Sequence, residues 1–145
     1  DGRIQEIGQR GDLSIPAGAR VIEAAGKYII PGLIDSHVHY DMPWLHRLYL
    51  ANGVTTVRDL GGSIERLVTL REEISVGNLM APRMFISGMP INPRTVRAMG
   101  LESSGEMAAK LAEAGVDGIK VTGYTTEELR EIVRVGIDEE FHWSW

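Results

Sequence analysis

His37-Val38-His39 sets two imidazoles two residues apart, directly after the apolar Leu33-Ile34 and Asp35-Ser36. On an extended strand, residues two apart point to the same side, so both rings are expected to converge on one point. Two neutral imidazoles aimed together suit a borderline metal such as zinc. The plainer alternative is a pair of histidines on a half-exposed strand. Position favours the metal, because the pair stands where a strand gives way to a loop, and in α/β barrels that end of a strand carries the active site. Lys120 is the second candidate, between Ile119 and Val121 in a run that reads as a buried parallel strand. An unpaired buried ammonium is expensive, so a lysine there is neutralised, paired or modified. The alternative is a lysine whose stem packs on apolar neighbours while its head reaches water. A Schiff-base lysine of the aldolase kind is a third reading, but it leaves the histidine pair without a task.

Asp59 falls at the end of a second strand, beside Arg58 and the Gly61-Gly62 turn. It reads either as a group in or just behind the site, or as a turn-forming carboxylate paired with Arg58. Asp35 reads as an outer partner of the histidine strand rather than a ligand. His46 falls within a helix and reads as a surface residue. His142 sits in the terminal run Glu139-Glu140-Phe141-His142-Trp143-Ser144-Trp145, which has no strand-plus-ligand pattern, and Asp138-Glu139-Glu140 reads as a solvated acidic end.

The elements that must position these residues follow from periodicity and punctuation. Arg3–Gly8, Ala19–Glu23 and Lys27–Ile30 read as short strands of a small antiparallel sheet, with a turn at Pro16-Ala17-Gly18. From Gly32 the pattern changes. Leu33–His39 reads as a strand, and Trp44, Leu45, Leu48 and Tyr49 lie at helical spacing before the stop Asn52-Gly53. Val54–Val57 is a second strand, and Ser63 is placed to cap a helix whose stripe is Ile64, Leu67, Val68, Arg71 and Ile74. Pro82–Gly88 is a third strand, followed by a polar stretch with Pro90 and Pro93. Ser103-x-x-Glu106 and Thr125-x-x-Glu128 are capping boxes on either side of a fourth strand, Ile119–Val121. Four alternations in units of roughly thirty residues indicate βαβ units and a parallel sheet.

The 145 residues, 43% apolar and 24% charged, describe a globular chain able to bury one core. A net charge of -5 with no basic face argues against nucleic-acid binding, and no apolar run approaches the ~20 residues of a membrane helix. With no cysteine, disulfides and thiolate zinc sites are excluded, and a reducing compartment is suited. No targeting segment is visible at Asp1-Gly2-Arg3-Ile4, so a cytoplasmic location is expected, although the chain does not start with methionine.

Three segments together carry a resemblance. Pro31-Gly32-Leu33-Ile34-Asp35-Ser36-His37-Val38-His39 is similar to the first-strand signature of the metal-dependent amidohydrolase superfamily. Gly53-Val54-Thr55-Thr56-Val57-Arg58-Asp59-Leu60-Gly61-Gly62 resembles the second-strand segment of its imidazolonepropionase and Xaa-Pro dipeptidase (prolidase)-like members. Gly118-Ile119-Lys120-Val121 resembles their fourth-strand segment, and the leading sheet resembles part of the β-sandwich that accompanies such barrels. The resemblance implies an α/β chain with a partial β-sandwich over 1–31, the first half of a (β/α)8 barrel (about four βα units) over 32–136, and a divergent tail over 137–145. It implies one or two zinc ions in the complete enzyme, with His37 and His39 as ligands and Lys120 as a bridging carbamate. It further implies metal-activated water hydrolysing an amide-like C–N bond in a small cyclic amide or dipeptide.

A whole barrel needs ~250 residues, and the family's later metal histidines and its proton-shuttling aspartate lie on strands beyond this length. After Val133 the sequence departs from the family pattern, and Met89-Pro90-Ile91-Asn92-Pro93-Arg94 replaces a Gly- and His-rich loop of close relatives. A truncated or frame-shifted copy with negligible turnover is therefore expected. The alternative is a non-catalytic half-barrel that self-associates, since open parallel strands leave edges to cover. A homo-oligomer is expected on that ground.

Overall fold

The computed structural model describes residues 3–40, 42 and 44–138. The expectations for His142 and the acidic-aromatic run from 139 onward lie outside the described residues. Contacts divide the chain into two units, Asp1–Ile30 and Pro31–Trp145.

In the first unit the described residues form turns but no strand. Hydrogen bonds close turns at Gln9–Asp12, Pro16–Ala19 and Ala24–Lys27, and Gly18 takes the left-handed φ of 83° that its turn requires. The three strands expected here are thus not formed. A strand exists only through a neighbour that pairs its backbone, and no described segment supplies one. Their apolar residues remain exposed, Ile7 at 84% and Tyr28 at 95%, so no hydrophobic face holds them in register.

The second unit is α/β. It runs β1 (Leu33–Val38), α1 (Leu45–Ala51), β2 (Val54–Asp59), α2 (Ile64–Ser75), β3 (Arg83–Ile86), α3 (Pro93–Ala98), α4 (Ser104–Glu113) and α5 (Thr126–Asp138). The three strands are parallel, in the order β1-β2-β3. One face of the sheet is covered, where Val38, Val57 and Met84 join Ile64 and Leu67 of α2 and Met107 and Leu111 of α4 in a buried core. The other face lines an open cleft of about 510 Å³ with Ile34, Ser36, Thr56, Arg58 and Phe85.

A fourth strand was expected at Ile119–Val121, and it does not join this sheet. Asp117 begins beside β3, its N–H donating to the Ile86 carbonyl at 2.8 Å. The chain then pairs with Ile91 instead, through one parallel bridge between Ile91 and Val121. The Lys120 carbonyl accepts from Ile91 N–H at 2.8 Å and Thr122 N–H donates to the Ile91 carbonyl at 3.0 Å. The segment after β3 therefore takes the backbone groups that a longer fourth strand would have offered to β3.

The helix signals fare unevenly. Thr125 and Glu128 form a reciprocal box: Thr125 N–H donates to Glu128 Oε2 at 2.9 Å and Glu128 N–H to Thr125 Oγ1 at 3.4 Å. Ser103 accepts from Glu106 N–H at 3.1 Å, but the Glu106 carboxylate turns to Glu102 N–H. Ser63 precedes α2 without capping it, because its hydroxyl donates to Glu65 Oε2 at 2.7 Å. The short α3 lies in the stretch read only as polar, with Pro90 and Pro93. Asn92 caps it by accepting from Arg94 and Thr95 N–H groups, and Pro93 occupies the first turn.

Candidate functional site

Strict alternation along β1 would put Asp35, His37 and His39 on one face. The register shows otherwise. Asp35 pairs with Val57 and Val38 pairs with Asp59, so three steps along β1 match two along β2. This is a bulge, with one residue of β1 left over. Val57 and Asp59 both belong to the covered face and are fully buried. Asp35 and Val38, an odd and an even position, consequently share that face. Beyond the bulge the parity is reversed: Val38 and Tyr40 are buried at 4% and 1%, while His37 and His39 are exposed on the open side.

Two side chains hold the bulge. Asp35 Oδ1 accepts from His37 N–H at 3.2 Å, the local turn an aspartate readily makes. Arg58 Nε donates to the Ser36 carbonyl at 2.9 Å. Asp35 thus touches the histidine strand through its backbone, as an outer partner, and Arg58 is engaged with β1 rather than with Asp59.

The bulge brings the histidine rings to 5.5 Å between centroids, tilted by 54°. His39 Nδ1 lies 3.2 Å from the Gly61 carbonyl. A carbonyl only accepts, so Nδ1 carries the proton and Nε2 presents its lone pair. Gly61 approaches so closely that a Cβ there would stand 2.8 Å from His39 Cε1. Lys120, half-buried, reaches the same place from the Ile119–Val121 segment, its Nζ 3.5 Å from His37 Nε2. The sequence separation is 83 residues, and the fold closes it.

Asp59 does not face the histidine rings. It lies on the covered side, where Oδ2 accepts from Tyr40 N–H at 2.6 Å and Oδ1 from Gly61 N–H at 2.8 Å. Its backbone carbonyl accepts from both the N–H and the hydroxyl of Ser87, each at 3.0 Å. The aspartate therefore joins the ends of all three strands. Asp59-Leu60-Gly61 is itself an Asp-x-Gly turn signal, and it could have disclosed this contact from sequence.

Behind the site lies an aromatic cluster that the sequence reading missed. His46 is buried at 6% rather than on the surface, and its Nδ1 is hydrogen-bonded to Tyr40 Oη at 2.5 Å. The Tyr40 and Tyr49 rings stack with centroids 5.5 Å apart, and Arg66 donates to the Tyr40 carbonyl at 2.7 Å. Burial pushes the His46 pKa below the ordinary histidine value, with the Arg66 charge adding to the effect. Burial raises the Tyr40 phenol well above its ordinary value and the Tyr49 phenol above its own; Tyr49 adds to the shift of Tyr40, and Asp35 and Asp59 to that of Tyr49.

Among the described residues, no three His, Cys, Asp or Glu side chains gather as a metal-holding group. What the fold assembles is the His37-His39 pair with Lys120. The donor chemistry suits a divalent ion on one condition. A protonated lysine directed at His37 Nε2 occupies the lone pair a metal would use, so the two cations exclude each other. Conversion of the ammonium to an anionic oxygen donor removes that conflict.

No family model matches the chain. The dihydroorotase of Chlorobaculum tepidum is 31% identical over 146 residues, covering 95% of this chain and 33% of that protein. The adenine deaminase of Paracoccus denitrificans is 31% identical over 133 residues, covering 82% of this chain and 21% of its own. A solved structure from Bifidobacterium longum, named as a prolidase, superposes with a TM-score of 0.64 at 31% identity over 88% of this chain and 37% of that one. The chain therefore spans a third or less of these curated relatives. No helix among the described residues is long and apolar enough to cross a membrane.

Proposed function

The chain belongs to the amidohydrolase superfamily, in its prolidase-like branch, and from that premise we propose that it carries part of the metal site of a hydrolase acting on C–N bonds. Its three parallel strands, in sequential order with helices on the covered face, are read as the opening units of a (β/α)8 barrel, with the functional groups at the C-terminal strand ends as that architecture requires. The observation that carries the reading is the convergence of His37, His39 and Lys120 on one point of the open face.

His37 and His39 are the imidazole donors for a zinc ion, and Lys120, as a carbamate, is the oxygen donor. A zinc ion held there supplies Lewis acidity toward a substrate carbonyl and toward water. The chain's own residues do the rest of what is on the page. The Gly61 carbonyl fixes the His39 ring with Nε2 toward the open face. Asp35 and Arg58 hold the bulge that turns His37 to that face. The cleft beside them, apolar at Ile34 and Phe85 and polar at Ser36 and Arg58, is suited to a small amide or dipeptide. Lys120 sits across from His37, so its modification completes the donor set.

Elemental analysis of the purified chain after zinc loading and gel filtration, beside a His37→Ala/His39→Ala variant, tests the proposal. Stoichiometric zinc in the first and none in the second is the expected result. Equal zinc in both, or none in either, rejects the assignment of the pair as ligands in this chain.

A further inference from the structure

We infer that Asp59 is the positioning residue of the histidine pair, setting the tautomer and orientation of His39 through Gly61, whose N–H it holds and whose carbonyl meets the ring. The inference rests on the reading of His39 as a metal donor. Asp59 is fully buried and carries no contact to the imidazoles, so it is neither ligand nor acid-base group. Each carboxylate oxygen instead takes one backbone N–H. Tyr40 N–H, immediately after His39, lies 2.6 Å from Oδ2. Gly61 N–H lies 2.8 Å from Oδ1, and the carbonyl of that same glycine receives the proton of His39 Nδ1 at 3.2 Å.

The carboxylate thus grips the chain beside His39 at one oxygen and the group that orients its ring at the other. The arrangement is a histidine whose distal nitrogen is held by a carbonyl, with a carboxylate holding the carbonyl's residue. Such outer partners fix ring orientation and raise ligand basicity. The close approach at Gly61 belongs to the same device. Its φ is not left-handed, so its lack of a side chain serves the His39 ring and not the backbone: a Cβ would meet Cε1 at 2.8 Å and Nδ1 at 3.0 Å. Neutral amide replacement at Asp59 keeps the size but turns one acceptor into a donor facing a backbone N–H, so one of the two grips is lost.

The test uses the metal-free 145-residue chain, ¹⁵N-labelled at histidine, at a pH above 8. Long-range ¹H–¹⁵N spectra report which ring nitrogen of His39 carries the proton. The unaltered chain should show a single Nδ1–H tautomer for His39. Asp59→Asn should show a mixture, and its zinc affinity, read by competition with a chromophoric chelator, should fall on the order of 10- to 100-fold. Gly61→Ala keeps the carboxylate and both N–H donors but pushes the His39 ring off the Gly61 carbonyl, so it tests the other half of the device where Asp59→Asn fails to fold, and it should give the same mixture. A locked Nδ1–H tautomer in Asp59→Asn or Gly61→Ala overturns the inference and leaves Asp59 as a structural turn carboxylate. A mixed tautomer in the unaltered chain overturns it as well. An unaltered chain with locked His39 that takes up no zinc rejects the metal reading while the positioning by Asp59 stands.

Discussion

Replacing Tyr40 with Phe removes one buried oxygen from behind the histidine pair. The ring itself should stay, since it is 1% exposed and stacked on Tyr49 with 12° between planes. What is lost is the partner of His46 Nδ1, now 2.5 Å from Tyr40 Oη on a histidine that is 6% exposed. A buried polar atom left without its partner costs about 1–3 kcal/mol, whereas removing both partners together is close to neutral. Tyr40→Phe should therefore destabilise the chain by about 1–3 kcal/mol, and adding His46→Leu should recover most of that loss. The same pair predicts a pH dependence. Burial and Arg66 lower the folded-state pKa of His46, so between the two pKa values the unfolded chain binds one more proton. Stability is then full above about pH 6.5, the ordinary histidine value, and falls as the pH drops toward the folded-state pKa. The slope from this one group should not exceed about 1.4 kcal/mol per pH unit. Urea unfolding followed by circular dichroism, at pH 7.5 and 5.5, measures both effects. A Tyr40→Phe chain within about 0.5 kcal/mol of the parent, or a double variant no more stable than the singles combined, would refute the reasoning.

Three further outcomes are expected. Asp35→Ala and Arg58→Met each remove one hydrogen bond from the β1 bulge, and each should cost no more than about 1.5 kcal/mol in stability. Zinc affinity should nonetheless fall on the order of 10-fold or more; chelator competition that finds it unchanged would separate the bulge from the site. Gly88→Ala should lower stability by about 1–3 kcal/mol, measured as a shift in the urea midpoint. Its φ is 66° and the new Cβ would stand 2.8 Å from Leu111 Cδ2 and 3.0 Å from Ile64 Cγ1. Zinc uptake should rise with added bicarbonate in the parent chain and be insensitive to it in Lys120→Met, as read by zinc titration in degassed and bicarbonate buffers. Equal behaviour of the two proteins would rule out a carbamate on Lys120.

The local signals that were legible in the sequence are those that act within a few residues. Asn52-Gly53 ends α1, with Gly53 at a φ of 78°, and the Thr125–Glu128 box opens α5 as expected. The histidine pair converges as its spacing requires, yet for a reason the spacing hides. Alternation alone assigns it a shared face without saying which, and the bulge decides. Lys120 was recognisable as unusual, but its meeting with His37 depends on Ile91 drawing off the segment that carries it, a long-range choice no local pattern encodes. The strands expected before Ile30 failed for a related cause: propensity supplies a strand's residues but not its pairing partner. His46 was misplaced because the apolar stripe Trp44, Leu45, Leu48 and Tyr49 is not the face the helix buries: Trp44 and Leu48 are exposed while His46 is covered.

The leftover residue in β1 gives the histidine strand one position to spare. Most surface strands tolerate exchange of one residue for another far better than the gain or loss of a position. Here, deleting Ser36 would bring Val38 two places after Asp35, matching Asp59 after Val57, so Val38 would stay covered and both imidazoles on the open side. Even pleating with every residue kept would instead turn both histidines into the space filled by Val38 and Tyr40, with the pair still encoded in the same order and spacing. Conversely, transplanting His-x-His onto a regular strand of another parallel sheet reproduces the motif without fixing its direction. There the parity of the graft alone sets the facing, without the Asp35 and Arg58 hydrogen bonds that hold the bulge here.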